Sequence, residues 1–362
     1  MENKVNSITT SDDDTFCFNI FHRVSRSFAF VTHVLEEPLR TTVSIFYLIL
    51  RGLDTIEDDL IEESMKAKAL GTFTIFLNEW PRPSCPDVCD FRFRPECNES
   101  YVELMDNFDK VLNVFFSRCT GDAKKIIMDV VNEMAGGMIK YSDQSIETLN
   151  DYNEYCYYVA GLVGIGLTKL FHLNGEFRMK EICQVRLEHL SISTGIFLQK
   201  VNILRDIYED LNQSGGRSFY PAEVWKNYVN SARDLIDENY RVEAIACLNH
   251  LINDAFQHLP ESIEYMSLVR KESLFRFIAI PQCIAVATLE KMFNNPAVFS
   301  SNVKIAGTEK DKIFKNVVDI KSCLSVVGSC LNTFSTRPDF INASCSKNWI
   351  SESVNFVSNF KI

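Results

Sequence analysis

Positive charge is in short supply in this chain. Its 362 residues carry 37 Lys and Arg against 48 Asp and Glu, a net charge of −11. That balance argues against general nucleic-acid binding, and it means an anionic substrate must be met by local cations or a metal. Long apolar runs are missing too. None reaches the roughly 18–20 residues that span a bilayer. The longest, Val43 to Leu50, is broken by Arg51 and reads as a buried helix. Residues 1–14 are polar and acidic, without the pattern of a signal peptide. The 12 Cys are scattered through apolar segments, so reduced thiols in a cytosol-facing protein are expected. Cys85, Cys89 and Cys97 share a Pro-rich loop, but their spacing is irregular and no His is near, which sets a zinc site aside. Strand signals are few, and there is no fixed-period repeat or low-complexity tract. Gly161, Gly164 and Gly166 make no dinucleotide fingerprint, because the preceding strand and the spacing are wanting. They would allow close backbone approach, either to substrate or to a packed helix.

What the chain does have is helical periodicity, within a composition 46% hydrophobic. Pro38 opens a helix that runs to Asp58. Tyr101, Leu104, Met105, Phe108, Val111, Leu112 and Phe115 predict one amphipathic helix. Ile126 to Met134 predicts the next, weakening at Gly136-Gly137. Gly215-Gly216, with Pro221 beyond, ends a further helix. Helices are also expected over 241–258, 261–277 and 281–293. The fold class expected is all-α, a single domain over residues 15–331 with a central active-site cavity between helices. A disordered tail over 1–14 and a polar C-terminal tail over 332–362, without a membrane anchor, would flank it.

Two acidic pentads carry the chemistry: Asp54-Thr55-Ile56-Glu57-Asp58 and Asp206-Ile207-Tyr208-Glu209-Asp210. Each sets two Asp four residues apart, one turn apart on one helix face. A lone pair of this kind is usually a solvated face. Here both pentads emerge from largely apolar helices, where a bare solvated face is out of place. Asn202, Asp206 and Asp210 form a stripe of oxygen ligands at i, i+4 and i+8. Two such helices facing each other would concentrate carboxylates that repel unless a cation neutralises them. Mg²⁺ takes oxygen ligands and is shared between a few carboxylates and substrate phosphates. Arg51 and Arg205 either serve as phosphate forks or merely neutralise the acids.

The segments around the pentads resemble the squalene synthases of the squalene/phytoene synthase family. Phe46-Tyr47-Leu48-Ile49-Leu50-Arg51-Gly52-Leu53-Asp54-Thr55-Ile56-Glu57-Asp58-Asp59 is similar to that family's first acidic motif. Ser25-Arg26-Ser27-Phe28 resembles its N-terminal substrate motif, and Tyr155 to Gly164 its central segment. Gln199 to Asp210, followed by Gly216-Arg217-Ser218-Phe219-Tyr220-Pro221, resembles its second acidic motif and flap. Phe277-Ile278-Ala279-Ile280-Pro281-Gln282 resembles its cation-facing segment. The blocks run in family order from about Cys17 to Lys304.

The resemblance implies an isoprenoid synthase fold. The activity implied is condensation of two farnesyl diphosphates to presqualene diphosphate, then NADPH-dependent reduction to squalene. It implies Mg²⁺ held by Asp54, Glu57 and Asp58 on one side and by Asn202, Asp206 and Asp210 on the other. Arg26, Arg51, Arg205 and Arg217 would hold phosphates of substrate or NADPH, and Lys304 the cofactor phosphate. Tyr155 would be the general base. Ser25, Phe28, Tyr47, Gln199, Phe275 and Phe277 would contact substrate, the Phe rings offering π faces to a carbocation. The alternative for each Phe is ordinary core. Two departures stand out. Ala306 follows Val303-Lys304-Ile305 where the family has Arg, which weakens the expected hold on NADPH. The C-terminal membrane helix of the family is also missing. The resemblance further implies the cytosolic face of the endoplasmic reticulum, product release at a membrane surface, and a monomer that binds no nucleic acid. A phytoene- or dehydrosqualene-type synthase without the reduction, or a non-catalytic isoprenoid-binding protein on the same fold, are the competing readings.

Overall fold

A computed structural model describes residues 12–84, 88–173, 182–212, 216–336 and 348–361. The side chains of Arg26, Ser27, Glu63, Cys89 and Ser335 also lie outside the description. Among the described residues the regular elements are helices, apart from an isolated antiparallel bridge between Leu60 and Phe93. They form two compact units, Met1–Ser142 and Asp143–Ile362.

In the first unit, α1 (Asp12–Val24), α2 (Arg26–Thr32), α4 (Lys66–Asn78), α5 (Glu99–Asp106), α6 (Phe108–Arg118) and α7 (Gly121–Tyr141) all touch α3 (Leu39–Asp59). That helix is central because its buried apolar face is wide: Val43, Ile45, Phe46, Leu48, Ile49 and Leu50 are all buried. Gly52 lets α3 approach α6; a Cβ there would sit 2.7 Å from the Phe108 ring.

Three expectations need correction here. The helix predicted from Tyr101 to Phe115 is two helices. Asn107 breaks it by donating its amide to Glu103 O at 3.0 Å and accepting from Lys110 Nζ at 2.8 Å, local bonds that compete with the helix. Gly136-Gly137 does not weaken α7, which continues to Tyr141 because Met138 and Tyr141 extend the buried stripe. The N-terminal tail is shorter than expected, since Asp12, Asp13 and Asp14 form the first turn of α1, where acids favour the helix dipole.

In the second unit, α10 (Gln184–Asn212) is central. Packed on it are α8 (Leu149–Cys156), a π-helical turn (Tyr157–Gly161), α9 (Leu162–Leu173), α12 (Arg241–Ala255), α13 (Leu259–Ser267) and α14 (Glu272–Met292). Short α11 (Ala222–Trp225) rests on α12, while α15 (Gly307–Asn316), α16 (Ile320–Ser335) and α17 (Trp349–Asn359) complete the unit. Close backbone approach is what the glycines serve. A Cβ on Gly164 would fall 2.3 Å from Ser191 O, and one on Gly195 2.3 Å from Ala160 O. The approach is to a packed helix, α10.

Three further boundaries differ from expectation. The segment 261–277 is broken at Leu268 and Val269, whose side chains turn inward and are buried. Pro281 does not open a helix. It lies inside α14, where burial of Phe277, Ile278, Gln282 and Ala285 outweighs the roughly 3 kcal/mol cost of an internal proline. The polar C-terminal tail begins inside α16 and contains α17. Ile350 is buried there, and Ser353 donates to Phe256 O at 3.1 Å. The overall Ser and Asn content hid an apolar face. Two stretches, Leu149–Leu173 and Glu272–Met292, also reach spanning length at a mean hydropathy of 1.3, which no uninterrupted apolar run revealed. The second is largely buried as a core helix.

Among the described residues, one ion pair sets a fully buried lysine against a half-buried carboxylate. Lys200 on α10 is 0% exposed, reaches Asp254 Oδ2 on α12 at 2.6 Å, and lies over the Tyr152 ring at 5.1 Å. Removing one partner of such a pair strands a buried charge. Lys200→Met is expected to lose about 3–5 kcal/mol of stability. Adding Asp254→Leu should recover much of it, as measured by denaturant unfolding.

Candidate active site

Both pentads lie in the last turns of their helices. Asp54 to Asp59 end α3 and Asp206 to Asp210 approach the end of α10, and neither helix has a basic residue in its last turn. A helix C-terminus already carries partial negative charge, so the arrangement is doubly unfavourable without a cation.

In the first unit, burial pushes the Asp54 carboxyl up, and Arg51 opposes it. Asp58 is pushed up to about 7, by desolvation first and then by the Asp54 charge. Arg51 and Lys66 pull it down, and Asp59 pushes it up further. Asp58 is solvent-exposed, so the like charge one turn away is the cause that carries the direction. Arg51 stands 3.7 Å from Asp54, over the Tyr101 ring at 4.9 Å and the Tyr47 ring at 5.8 Å. Its Nε is buried without a hydrogen-bond partner. This guanidinium therefore has a donor to spare for an anion, which a merely neutralising arginine would not. Tyr47 stacks on Phe28 at 4.9 Å and donates to Val24 O at 3.2 Å. Ser25 is buried with its hydroxyl unpartnered. Glu57 is half-buried. The Arg26 side chain lies outside the described residues. Cys97 donates to Asp59 Oδ2 at 3.3 Å, a contact that pushes its thiol, already raised by burial, to about 12. Cys85 and the Cys89 side chain fall outside the description.

The second unit places Asn202, Asp206 and Asp210 along one stripe of α10, Asn202 exposed and the two Asp half-buried. Arg205 differs from Arg51. It closes a fork on Asp206, with Nε to Oδ1 at 2.7 Å and Nη2 to Oδ2 at 2.6 Å. Gln199 is half-buried one turn earlier. Tyr155, at the end of α8 beside the π turn, is buried and stacks on Phe219 at 4.9 Å. The Arg217 guanidinium covers Phe219 at 4.9 Å and donates to Gln144 O. Phe275 and Phe277 are buried on α14, Phe277 edge-on to Phe171 at 5.8 Å, so ring packing accounts for part of its environment. Lys304 is exposed, and Ala306 forms the N-cap of α15 without a side-chain bond.

Among the described residues, no three acidic, His or Cys side chains form a ready-made metal cage. Mg²⁺ keeps waters and takes part of its shell from substrate phosphates. The donor set fits it: all-oxygen side chains on each stripe, with Arg51 Nε spare beside the first. Sequence reasoning missed Tyr101, Phe219 and Asn302. Tyr101 was read only as part of a helix stripe. Phe219 lies inside the flap motif and Asn302 directly precedes Val303-Lys304-Ile305, so motif membership and adjacency are the available signals.

The raised Asp58 value has a checkable sign. With its folded pKa above the unfolded one, Asp58 favours folding at low pH, and that contribution is lost as pH rises through about 7. In EDTA, Asp58→Asn should therefore stabilise the protein relative to wild type at pH 8 and not at pH 4. Thermal melts at both values check it.

The squalene/phytoene synthase family model matches residues 21–309. Squalene synthase 10 of Panax ginseng is 42% identical over 294 residues, 80% of this chain and 66% of its own length. Squalene synthase of Nicotiana benthamiana is 40% identical over 294 residues, again 80% of this chain and 67% of that protein. The chain thus spans about 66% of the ginseng relative. Among solved structures, the complex of TcSQS with the ligand E5700 superposes with a TM-score of 0.86 at 34% identity, covering 96% of this chain and 97% of that one. A dehydrosqualene synthase in complex with ligand reaches a TM-score of 0.59 at 21% identity, with 86% and 96% covered, a likeness of fold.

Proposed function

The chain belongs to the squalene/phytoene synthase family, and we propose that it joins two farnesyl diphosphates head to head into presqualene diphosphate and reduces that to squalene with NADPH. The observation that carries this reading is the pair of carboxylate stripes at two helix C-termini, one with an unpartnered arginine donor beside it.

Asp54, Glu57 and Asp58 would hold Mg²⁺ on one stripe, and Asn202, Asp206 and Asp210 on the other. Bound there, the ion offsets charge on a leaving diphosphate. Arg51, with its free Nε, binds phosphate oxygens directly and stabilises the departing anion. Arg26, Arg205 and Arg217 add cations for the phosphates. Ser25 and Gln199 orient the substrate through polar contacts. Phe28, Tyr47, Phe275 and Phe277 contact the prenyl chains and keep water from the allylic cation. The Tyr155 hydroxyl takes the proton lost as the cyclopropane closes while passing its own proton to the departed diphosphate, its ring held by Phe219. Lys304 is the exposed cation available to the 2′-phosphate of NADPH, which supplies hydride to the second step. By the same family reading the enzyme acts as a monomer at the cytosolic face of the endoplasmic reticulum and releases product to the membrane. The non-reductive and non-catalytic readings draw on no separate structural observation.

Incubation with farnesyl diphosphate and Mg²⁺, with and without NADPH, tests the reading. Squalene formed only with NADPH is expected; dehydrosqualene, or tight binding without turnover, overturns it. Tyr155→Phe should lower presqualene diphosphate formation by roughly 10²-fold or more. Its melting temperature should stay unchanged; preserved turnover with lowered stability would make the hydroxyl structural. Ala306→Arg should lower the apparent KM for NADPH more than for NADH, since one charge-assisted phosphate contact contributes about 1.5–3 kcal/mol. An unchanged ratio of the two constants would show that position 306 does not meet the phosphate.

A further inference from the structure

Asn302 is the residue just before Val303-Lys304-Ile305, and nothing in its type marks it as functional. Its Nδ2 nevertheless donates to Asp206 Oδ1 at 2.7 Å. Its own Oδ1 is buried without a hydrogen-bond partner. We propose that Asn302 is a positioning residue for Asp206, selecting which carboxylate oxygen meets the cation. The inference rests on the metal assignment under the proposed function.

A carboxylate offers about four acceptor directions, two on each oxygen. Asp206 Oδ1 accepts from Arg205 Nε at 2.7 Å and from Asn302 Nδ2 at 2.7 Å, so both of its directions are taken. Oδ2 accepts from Arg205 Nη2 at 2.6 Å, which leaves one direction open. Without Asn302 the carboxylate would keep the Arg205 fork but have an open direction on each oxygen, so either could meet the cation. With it, Asp206 is a one-oxygen ligand of fixed orientation. The amide assignment is constrained by chemistry, because the flipped amide would set Oδ1 against a carboxylate. The unpartnered Asn302 Oδ1 then remains for a donor that arrives with the ligand, such as a water of a hydrated cation. Buried Ile305, three residues on, anchors the segment that presents the amide. The contact also ties the stretch bearing Lys304 to the second acidic stripe.

The probe is inorganic diphosphate titrated with Mg²⁺ by calorimetry, with no turnover involved. Outer partners of metal ligands typically contribute 10- to 100-fold in affinity. Asn302→Ala should weaken Mg²⁺-dependent diphosphate binding by that factor, and Asn302→Asp by more, through repulsion of Asp206. In the background of Asp206→Asn, Asn302→Ala should add little further loss, since the amide acts through that carboxylate. Asn302→Ser provides the comparison should the Ala variant fold poorly. If Asp206→Asn weakens binding but a folded Asn302→Ala or Asn302→Ser does not, the inference is overturned and the metal assignment stands. If Asp206→Asn itself leaves binding unchanged, the metal assignment fails instead. Equal losses from Asn302→Ala with and without Asp206 would show that the amide does not act through the carboxylate, and would also overturn it.

Discussion

Concentrated negative charge at the C-terminal ends of two central helices is the constraint on which the rest depends. On α3 and on α10 the acids stand where the backbone dipole is also negative, with no basic residue in the last turn. Folding has to hold them there against this repulsion. It does so by making both helices the hubs of their units, with apolar side chains buried on several sides. The apolar hub supplies the stability that the charged end costs.

The two stripes solve the charge problem differently. On α10, Arg205 grips Asp206 with both arms of its fork, and Asn302 takes a further direction on Oδ1. The carboxylate is held in one orientation. On α3, Arg51 stands off at 3.7 Å with an unpartnered Nε, and Asp58 is raised to about 7. That side is under-neutralised and has more to gain from a cation and an anion arriving together.

The aromatic residues divide along similar lines. Phe28 and Tyr47 stack on each other, with Phe21 edge-on to both, and remain half-buried. Phe277 is buried and edge-on to Phe171. Tyr155 is stacked on a ring that Arg217 covers from another contact. The stack holds the buried Tyr155 ring in one orientation.

Much was legible in the sequence because it is written in local spacing. The all-α class follows from periodicity that any window shows, and the span of α3 follows from Pro38 and its apolar stripe. The pentads announce their chemistry because i, i+4 carboxylates share a helix face wherever the helix sits. Other features depended on neighbours distant in sequence. Pro281 is tolerated inside α14 only because the surrounding burial outweighs the missing hydrogen bond. The role of Gly164 and Gly195 is decided by the backbone of a facing helix. The hidden face of α17 acquired meaning only from the partners of Ile350 and Ser353. Which arginine keeps a donor free, and which amide holds Asp206, were decided by tertiary structure alone. A hydrogen bond between residues about a hundred positions apart, like that of Asn302 with Asp206, leaves no periodic trace in the chain.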